Sequence, residues 1–214
     1  MTMYQVKVLQ KGYSKRNSDG SMSANGTCTL ITGQGLYIIV DTLSPWDRTV
    51  LIELLRQAGL QCDDITHVIC THGHPDHIGN NNLFTSATLH IAGHSIYKQH
   101  QYFEHDFTGG RAFQIDKHDL YIIPTPGHTL DSISVVVNTE MGSICIAGDL
   151  FENENDVDDP NIWKEAGSEN ETLQMKHRNK VILLSDFIIP GHGQIFSVTE
   201  NMKVKAKNWL HTFN

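Results

Sequence analysis

The sequence predicts an α/β (α+β) fold, and three observations carry that prediction. Short apolar runs recur along the chain, Val68-Ile69-Cys70, Tyr121-Ile122-Ile123, Ser143-Ile144-Cys145-Ile146-Ala147 and Phe187-Ile188-Ile189, each of strand length. Between them lie stretches that read as helices: Asp47 to Ala58, with leucines and isoleucine at helical spacing and Gly59 at its end, Glu169 to Lys180, and Thr199 to His211. The 214 residues suit one domain of ordinary size, so a single domain over residues 1–214 with one substantial core is expected.

Taken in order, Tyr4 to Leu9, Thr27 to Thr32 and Leu36 to Asp41 read as successive strands. The polar stretch Ser14 to Asn25, with Asp19-Gly20 and Asn25-Gly26 as turn signals, reads as a mobile hairpin loop. After the first helix come a buried strand, Thr66 to Cys70, a second short strand, Thr88 to Ile91, and a segment reaching Gly110. Within it His94 follows a strand as Gly93-His94-Ser95 and is a candidate proton donor to a leaving group, whereas His100 and His105 read as surface residues. Strands follow at Leu120 to Thr125, Ile133 to Thr139 and Ser143 to Ala147. Glu152, Glu154, Asp156, Asp158 and Asp159 then read as a solvated acidic loop, and Lys176, His177, Arg178 and Lys180 as a solvated helical face. In the last helix Val204, Trp209 and Leu210 are placed to pack on a sheet.

The chemistry concentrates where the buried strand ends. His72-Gly73-His74-Pro75-Asp76-His77 puts three imidazoles and a carboxylate in six residues. Past Cys70 the backbone leaves the sheet edge as a loop, where side chains can converge on a point. His72 and His74, two apart, can face one side of that turn, while Asp76 and His77 face a neighbouring point, so one loop can serve two adjacent ions. Imidazole with carboxylate suits zinc, and also iron or manganese. Three further candidates each follow a strand and a glycine: His128 after Gly127, Asp149 after Gly148, and His192 after Gly191. Singly each has the look of an ordinary turn residue; jointly they form a set.

This ordered set, His-x-His-x-Asp-His followed by Gly-His, Gly-Asp and Gly-His, resembles the metallo-β-lactamase superfamily of binuclear hydrolases over nearly the whole chain. The resemblance implies an αββα four-layer sandwich, two mixed β-sheets flanked by helices. It implies that His72, His74 and His128 would hold one divalent ion and Asp76, His77 and His192 the other, with Asp149 bridging them, and that Asp41 would support the loop from beneath. The ions, expected to be zinc, would activate a shared hydroxide that Asp76 orients. The stretches Thr71 to Asn80, Ala147 to Glu152 with its acidic continuation to Trp163, and Ile189 to Gly193 are similar to a short animal member understood as a nuclease for histone pre-messenger RNA 3′ ends. An endoribonuclease acting on single-stranded RNA is therefore implied, with a homodimer suggested by the family. The competing readings are a small-molecule thioesterase or lactonase, a metal-retaining binding module without catalysis, and oxygen chemistry on a di-iron centre with the same ligands.

Composition presses on these expectations. With 16 basic and 24 acidic residues the formal charge is -8, which argues against a general polyanion-binding surface. Two divalent ions set against Asp76, Asp149 and a hydroxide nevertheless leave roughly +1 at the site itself. Only 22 residues follow His192, which disfavours a glyoxalase II with its added helical domain. The inserted domain of the β-CASP nucleases and the protruding arm of the transfer-RNA-processing relatives do not fit this length either. The four cysteines show no C-x-x-C pairing, and with no signal-like leader or long apolar span a cytosolic or nuclear protein is expected, away from membranes.

Overall fold

In the computed structural model, which describes residues 3–213 (Met1, Thr2 and Asn214 of the expected domain lie outside them), the first half of the chain builds one sheet. It comprises β1 (Gln5–Gln10), a small hairpin of β2 (Tyr13–Arg16) and β3 (Met22–Asn25), then β4 (Cys28–Gly33) and β5 (Leu36–Val40). Helix α1 (Arg48–Gln57) leads to β6 (His67–Cys70), the single turn α2 (Pro75–Ile78), and β7 (Leu89–Ala92), β8 (Ser95–Lys98) and β9 (Gln101–Phe103). The second half runs β10 (Phe113–Gln114), β11 (Leu120–Pro124), β12 (Ile133–Thr139), β13 (Gly142–Gly148), α3 (Pro160–Ala166), α4 (Glu171–Leu184), β14 (Phe187–Pro190), β15 (Phe196–Ser197) and α5 (Glu200–Phe213).

The sheets have orders β1-β4-β5-β6-β7-β8-β9 and β10-β11-β12-β13-β14-β15, and in both the helical crossovers make neighbours parallel: β5, β6 and β7 in the first, β13 and β14 in the second. Side chains alternate as the period of two requires. Ile38, Val40 and Ile69 of the first sheet meet Ile133, Val135, Ile144 and Ile146 of the second in the central core. Their neighbours Ile39, Val68 and Cys70 face outward and bury Leu51 and Leu55 of α1, while Cys145, Ala147 and Ile188 bury Val181 and Ile182 of α4 and Ala206 of α5. Helix, sheet, sheet, helix is the four-layer arrangement expected. Each buried valine, leucine or isoleucine among them contributes about 1.5–3 kcal/mol.

Several local expectations change. Ser14 to Asn25 is an ordered two-stranded hairpin, paired from Tyr13 with Asn25 to Arg16 with Met22. The segment after His94 extends the first sheet through β8 and β9. In α5, Val204 is exposed, and Ala206 with Met202 makes the contact with the core, because the helix presents that face to α4. All four cysteines are free, and Cys28, Cys70 and Cys145 are buried.

Candidate metal centre

Every candidate ligand leaves the carboxyl end of a strand. β6 delivers His72, His74, Asp76 and His77; β11 delivers His128; β13, Asp149; β14, His192. Because β12 runs antiparallel to both β11 and β13, and β14 runs parallel to β13, the three strands of the second sheet release their ligands at one edge. That edge is tied to the first sheet by Ile133 N–H donating to Thr71 O at 2.9 Å. Glycine is required at two of these exits. Gly148 sits at φ 54°, where a Cβ would meet Thr71 Oγ1 at 2.5 Å, and a Cβ on Gly191 would strike the Asp149 carboxylate.

The side chains converge in two groups. In the first, His74 Nδ1 lies 2.9 Å from His72 Nε2 and 3.1 Å from His128 Nε2, and Asp149 Oδ2 lies 3.6 Å and 3.3 Å from the latter two nitrogens. In the second, Asp76 Oδ2 is 3.8 Å from His77 Nε2 and 3.9 Å from His192 Nε2. Asp149 stands between them, with Oδ1 3.1 Å from His77 Nε2 and Oδ2 3.2 Å from His192 Nε2. His72, His77, His128, Asp149 and His192 are buried, Asp76 is half-buried, and His74 is exposed at the mouth.

The outer ring nitrogens decide what the inner ones can do. His77 Nδ1–H donates to Asp41 Oδ2 at 2.8 Å, His128 Nδ1–H to Gly167 O at 2.8 Å, and His192 Nδ1–H to Asn25 O at 3.0 Å. Thr71 Oγ1 donates to Asp41 Oδ2 at 2.9 Å and so accepts from His72 Nδ1–H at 3.1 Å. These partners assign the tautomers and aim four Nε2 lone pairs inward. A single proton on His74 Nδ1 satisfies at most one of the two nitrogens beside it, and His77 Nε2 and Asp149 Oδ1 are buried with no hydrogen-bond partner among the described residues. Each such orphan costs about 1–3 kcal/mol. A cation relieves all of them at once, so the residues fit divalent metal: His72, His74, His128 and Asp149 form one candidate ligand group, Asp76, His77 and His192 another.

The electrostatics show where the centre draws positive charge, whether a proton or a cation supplies it. Burial, then the neighbouring His77, holds His72 well below its ordinary pKa, as burial and His128 do for His74. For His77 burial pushes the same way, but the Asp149 and Asp41 carboxylates outweigh it and hold the imidazole well above its ordinary range. His192 is likewise opposed by burial and raised to about 9 by Asp149. Burial would raise Asp149, yet His77, His192 and His72 together hold it well below the usual carboxylate range.

Asp41 closes the support. It occupies φ 58° and its carboxylate also accepts Thr71 N–H at 2.7 Å, so three hydrogen bonds offset an unfavourable backbone conformation worth about 1–3 kcal/mol. His94 lies outside both ligand groups: its ring stacks on Phe107 with centroids 5.1 Å apart, its Nε2 is buried without a partner among the described residues, and it lines a surface cavity with Glu104 and Arg111.

Two readings of charged runs are corrected. The acidic stretch is not uniformly solvated: Glu152 and Asp156 are each 1 % exposed. Glu152 Oε2 accepts from Ser14 Oγ at 2.8 Å and its carboxyl shares a candidate ligand group with Asp149 and His192; burial, then Asp149, pushes it up to about 7. Asp156 pairs with Arg178 at 2.6 Å, and that guanidinium also donates to Leu150 O at 2.7 Å and lies 4.1 Å over the Phe151 ring. Arg178 is therefore a buried brace behind Asp149. Gln174 adds a donor to Asp149 O at 3.0 Å. Local sequence carried no signal for these roles, apart from the position of Glu152 three residues after Asp149.

The sandwich and its strand-end cluster of histidines and aspartates define a protein that can hold metal ions. The profile of the metallo-beta-lactamase superfamily matches residues 24–192, and the chain belongs to that superfamily of metal-dependent hydrolases. It is 40% identical over 200 residues to metallo-beta-lactamase domain-containing protein 1 of Xenopus laevis, covering 92% of this chain and 83% of that one. To the Mus musculus protein of the same name it is 32% identical over 224 residues, covering 91% and 84%. Among solved structures it is similar to a putative metallo-beta-lactamase from Thermotoga maritima (TM-score 0.66, 20% identity, 91% of this chain and 99% of that). It is also similar to an N-acyl homoserine lactone hydrolase bearing its product at the catalytic metal centre (TM-score 0.65, 17% identity, 90% and 94%). At those identities the structural likeness speaks for the fold. No described helix is long and apolar enough to cross a membrane.

Proposed function

We propose that this protein is a two-metal endoribonuclease that hydrolyses phosphodiester bonds of single-stranded RNA. The observation that carries the hydrolytic reading is the set of inward Nε2 lone pairs fixed by Asp41, Thr71, Gly167 and Asn25 around Asp149. His72, His74 and His128 would hold one ion, Asp76, His77 and His192 the other, and Asp149 both. Zinc ions there, or iron or manganese, would supply Lewis acidity and a lowered water pKa. The chain's own contribution is orientation. The Asp76 carboxylate makes no hydrogen bond with the described residues and is half-buried at the mouth, placed to orient water and take its proton. His94, with an unpartnered Nε2, is the residue to test as proton donor to the leaving oxygen.

RNA is favoured by the likeness of Thr71 to Asn80, Ala147 to Glu152 and Ile189 to Gly193 to a short animal member understood as a nuclease for histone pre-messenger RNA 3′ ends. A lactonase or thioesterase is the second reading, supported by the fold shared with an N-acyl homoserine lactone hydrolase. Metal-loaded protein assayed on single-stranded RNA, acyl thioesters and acyl homoserine lactones separates them. RNA left intact beside efficient thioester or lactone hydrolysis refutes the nuclease. A folded His74→Ala protein that loses metal yet keeps its activity refutes metal catalysis of either kind.

A further inference from the structure

The basic stretch of α4 is divided by the fold. Arg178 turns inward to Asp156, whereas His177 and Lys180 supply the charge-bearing edge of a cavity of about 210 Å³ whose other walls are Gly110, Thr125 and the apolar Ile123, Pro124, Val181 and Leu184. Among the described residues no carboxylate pairs with Lys176, His177 or Lys180, in a chain whose formal charge is -8. The like charges act on one another. Burial, then Lys180 and Lys176, depresses the His177 imidazole to about 4, and burial, then Lys176, lowers Lys180. A half-buried imidazole beside an exposed ammonium with no carboxylate partner is an arrangement that favours an anion.

Size and donor type narrow the anion. The volume lies below the ~300–1,000 Å³ of sites for whole drug-sized ligands, so it suits one small anionic group and not a whole nucleotide. A planar carboxylate is best matched by the arginine fork, and the one arginine of this stretch is committed to Asp156; an ammonium is a point charge suited to a tetrahedral oxyanion. We propose that the cavity between α4 and β11 binds a phosphate group, with Lys180 supplying the charge and His177 a ring N–H. The site is close to the metal loops: Gln174, on the same helix, packs on Gly127 and donates to Asp149 O, and His177 and Lys180 lie about 5–9 Å further along the axis. Inorganic phosphate and a phosphate within a polynucleotide share this chemistry, and the proposal stands without the nuclease reading.

The test follows the His177 ring by NMR in metal-loaded, histidine-labelled protein, with the resonance identified by His177→Gln. Inorganic phosphate should shift that ring saturably, and Lys180→Gln should weaken the binding by about tenfold or more. A hydrolysis-resistant single-stranded phosphorothioate oligonucleotide forms the second arm. A shift that phosphate competes away assigns the site to a polynucleotide, whereas a shift with phosphate alone assigns it to the free ion. A His177 ring unmoved by both probes, or shifts unchanged in Lys180→Gln, overturns the proposal.

Discussion

Asp41→Asn probes the hydrogen-bond logic of the centre while leaving its shape intact. Asparagine enters the left-handed region as readily as aspartate, so the backbone at φ 58° should hold. The carboxylate accepts three hydrogens, from Thr71 N at 2.7 Å, Thr71 Oγ1 at 2.9 Å and His77 Nδ1 at 2.8 Å. An amide keeps one acceptor for Thr71 N–H and turns an NH₂ group toward the other two. His77 must then move its proton to Nε2, into the space it shares with Asp76, Asp149 and His192. Loss of such an outer partner costs about 10–100-fold in metal affinity, or ~1.4–2.7 kcal/mol. The lost charge-assisted bond removes about 1.5–3 kcal/mol of stability, roughly 3–12 °C in Tm for a domain of this size. Competition with a chromophoric chelator should show metal given up more readily than by the wild type, alongside a lowered melt. Wild-type metal affinity in a variant with lowered Tm would refute the assignment of the His77 tautomer to Asp41.

Three further outcomes are expected. Arg178→Met should cost about 3–5 kcal/mol in urea unfolding, because it leaves Asp156 charged and buried; the double change with Asp156→Asn should recover much of that, and additive losses would contradict it. Gly191→Ala should displace the Asp149 carboxylate, reducing bound metal and destabilising by about 1–3 kcal/mol, so full metal content after purification would count against the close approach. His177 has its folded pKa depressed from 6.5 to about 4, so its contribution to stability is complete above 6.5 and is lost as pH falls from 6.5 toward 4. After allowance for solvent screening the loss is about 1–2 kcal/mol, and His177→Gln should flatten the stability profile across that window.

Much of the centre was legible in the sequence because four ligands crowd into His72 to His77 after an apolar run and His128, Asp149 and His192 each follow a strand and a glycine, signals confined to a few adjacent residues. What escaped depends on partners far along the chain. Arg178 and Asp156 are 22 residues apart, and Glu152 meets Ser14 across 138. Their surroundings in sequence are charged, so local patterning reads both as solvated. The β8 and β9 strands escaped for a different reason: β9 (Gln101–Phe103) is the exposed edge strand and β8 (Ser95–Lys98) beside it buries only Ile96, so neither carries a strongly apolar run. Val204 was chosen in the last helix by its chemistry, yet the register of α5 against α4 put Ala206 inward instead.

The bond from His192 to the carbonyl of Asn25 joins residues 167 apart, and Thr27 reaches Gly191 across 164. Contacts of such separation form late, after shorter ones have paid for the chain's order. On the ribosome the loop of His72 to His77 is therefore made well before its last companion exists, by roughly 6–23 s at ~5–20 residues per second. During that interval its three imidazoles and its carboxylate stand without the residues that later enclose them. The two candidate ligand groups are therefore completed only after translation, when the amino-terminal hairpin docks on residues 191–192 and the cluster closes.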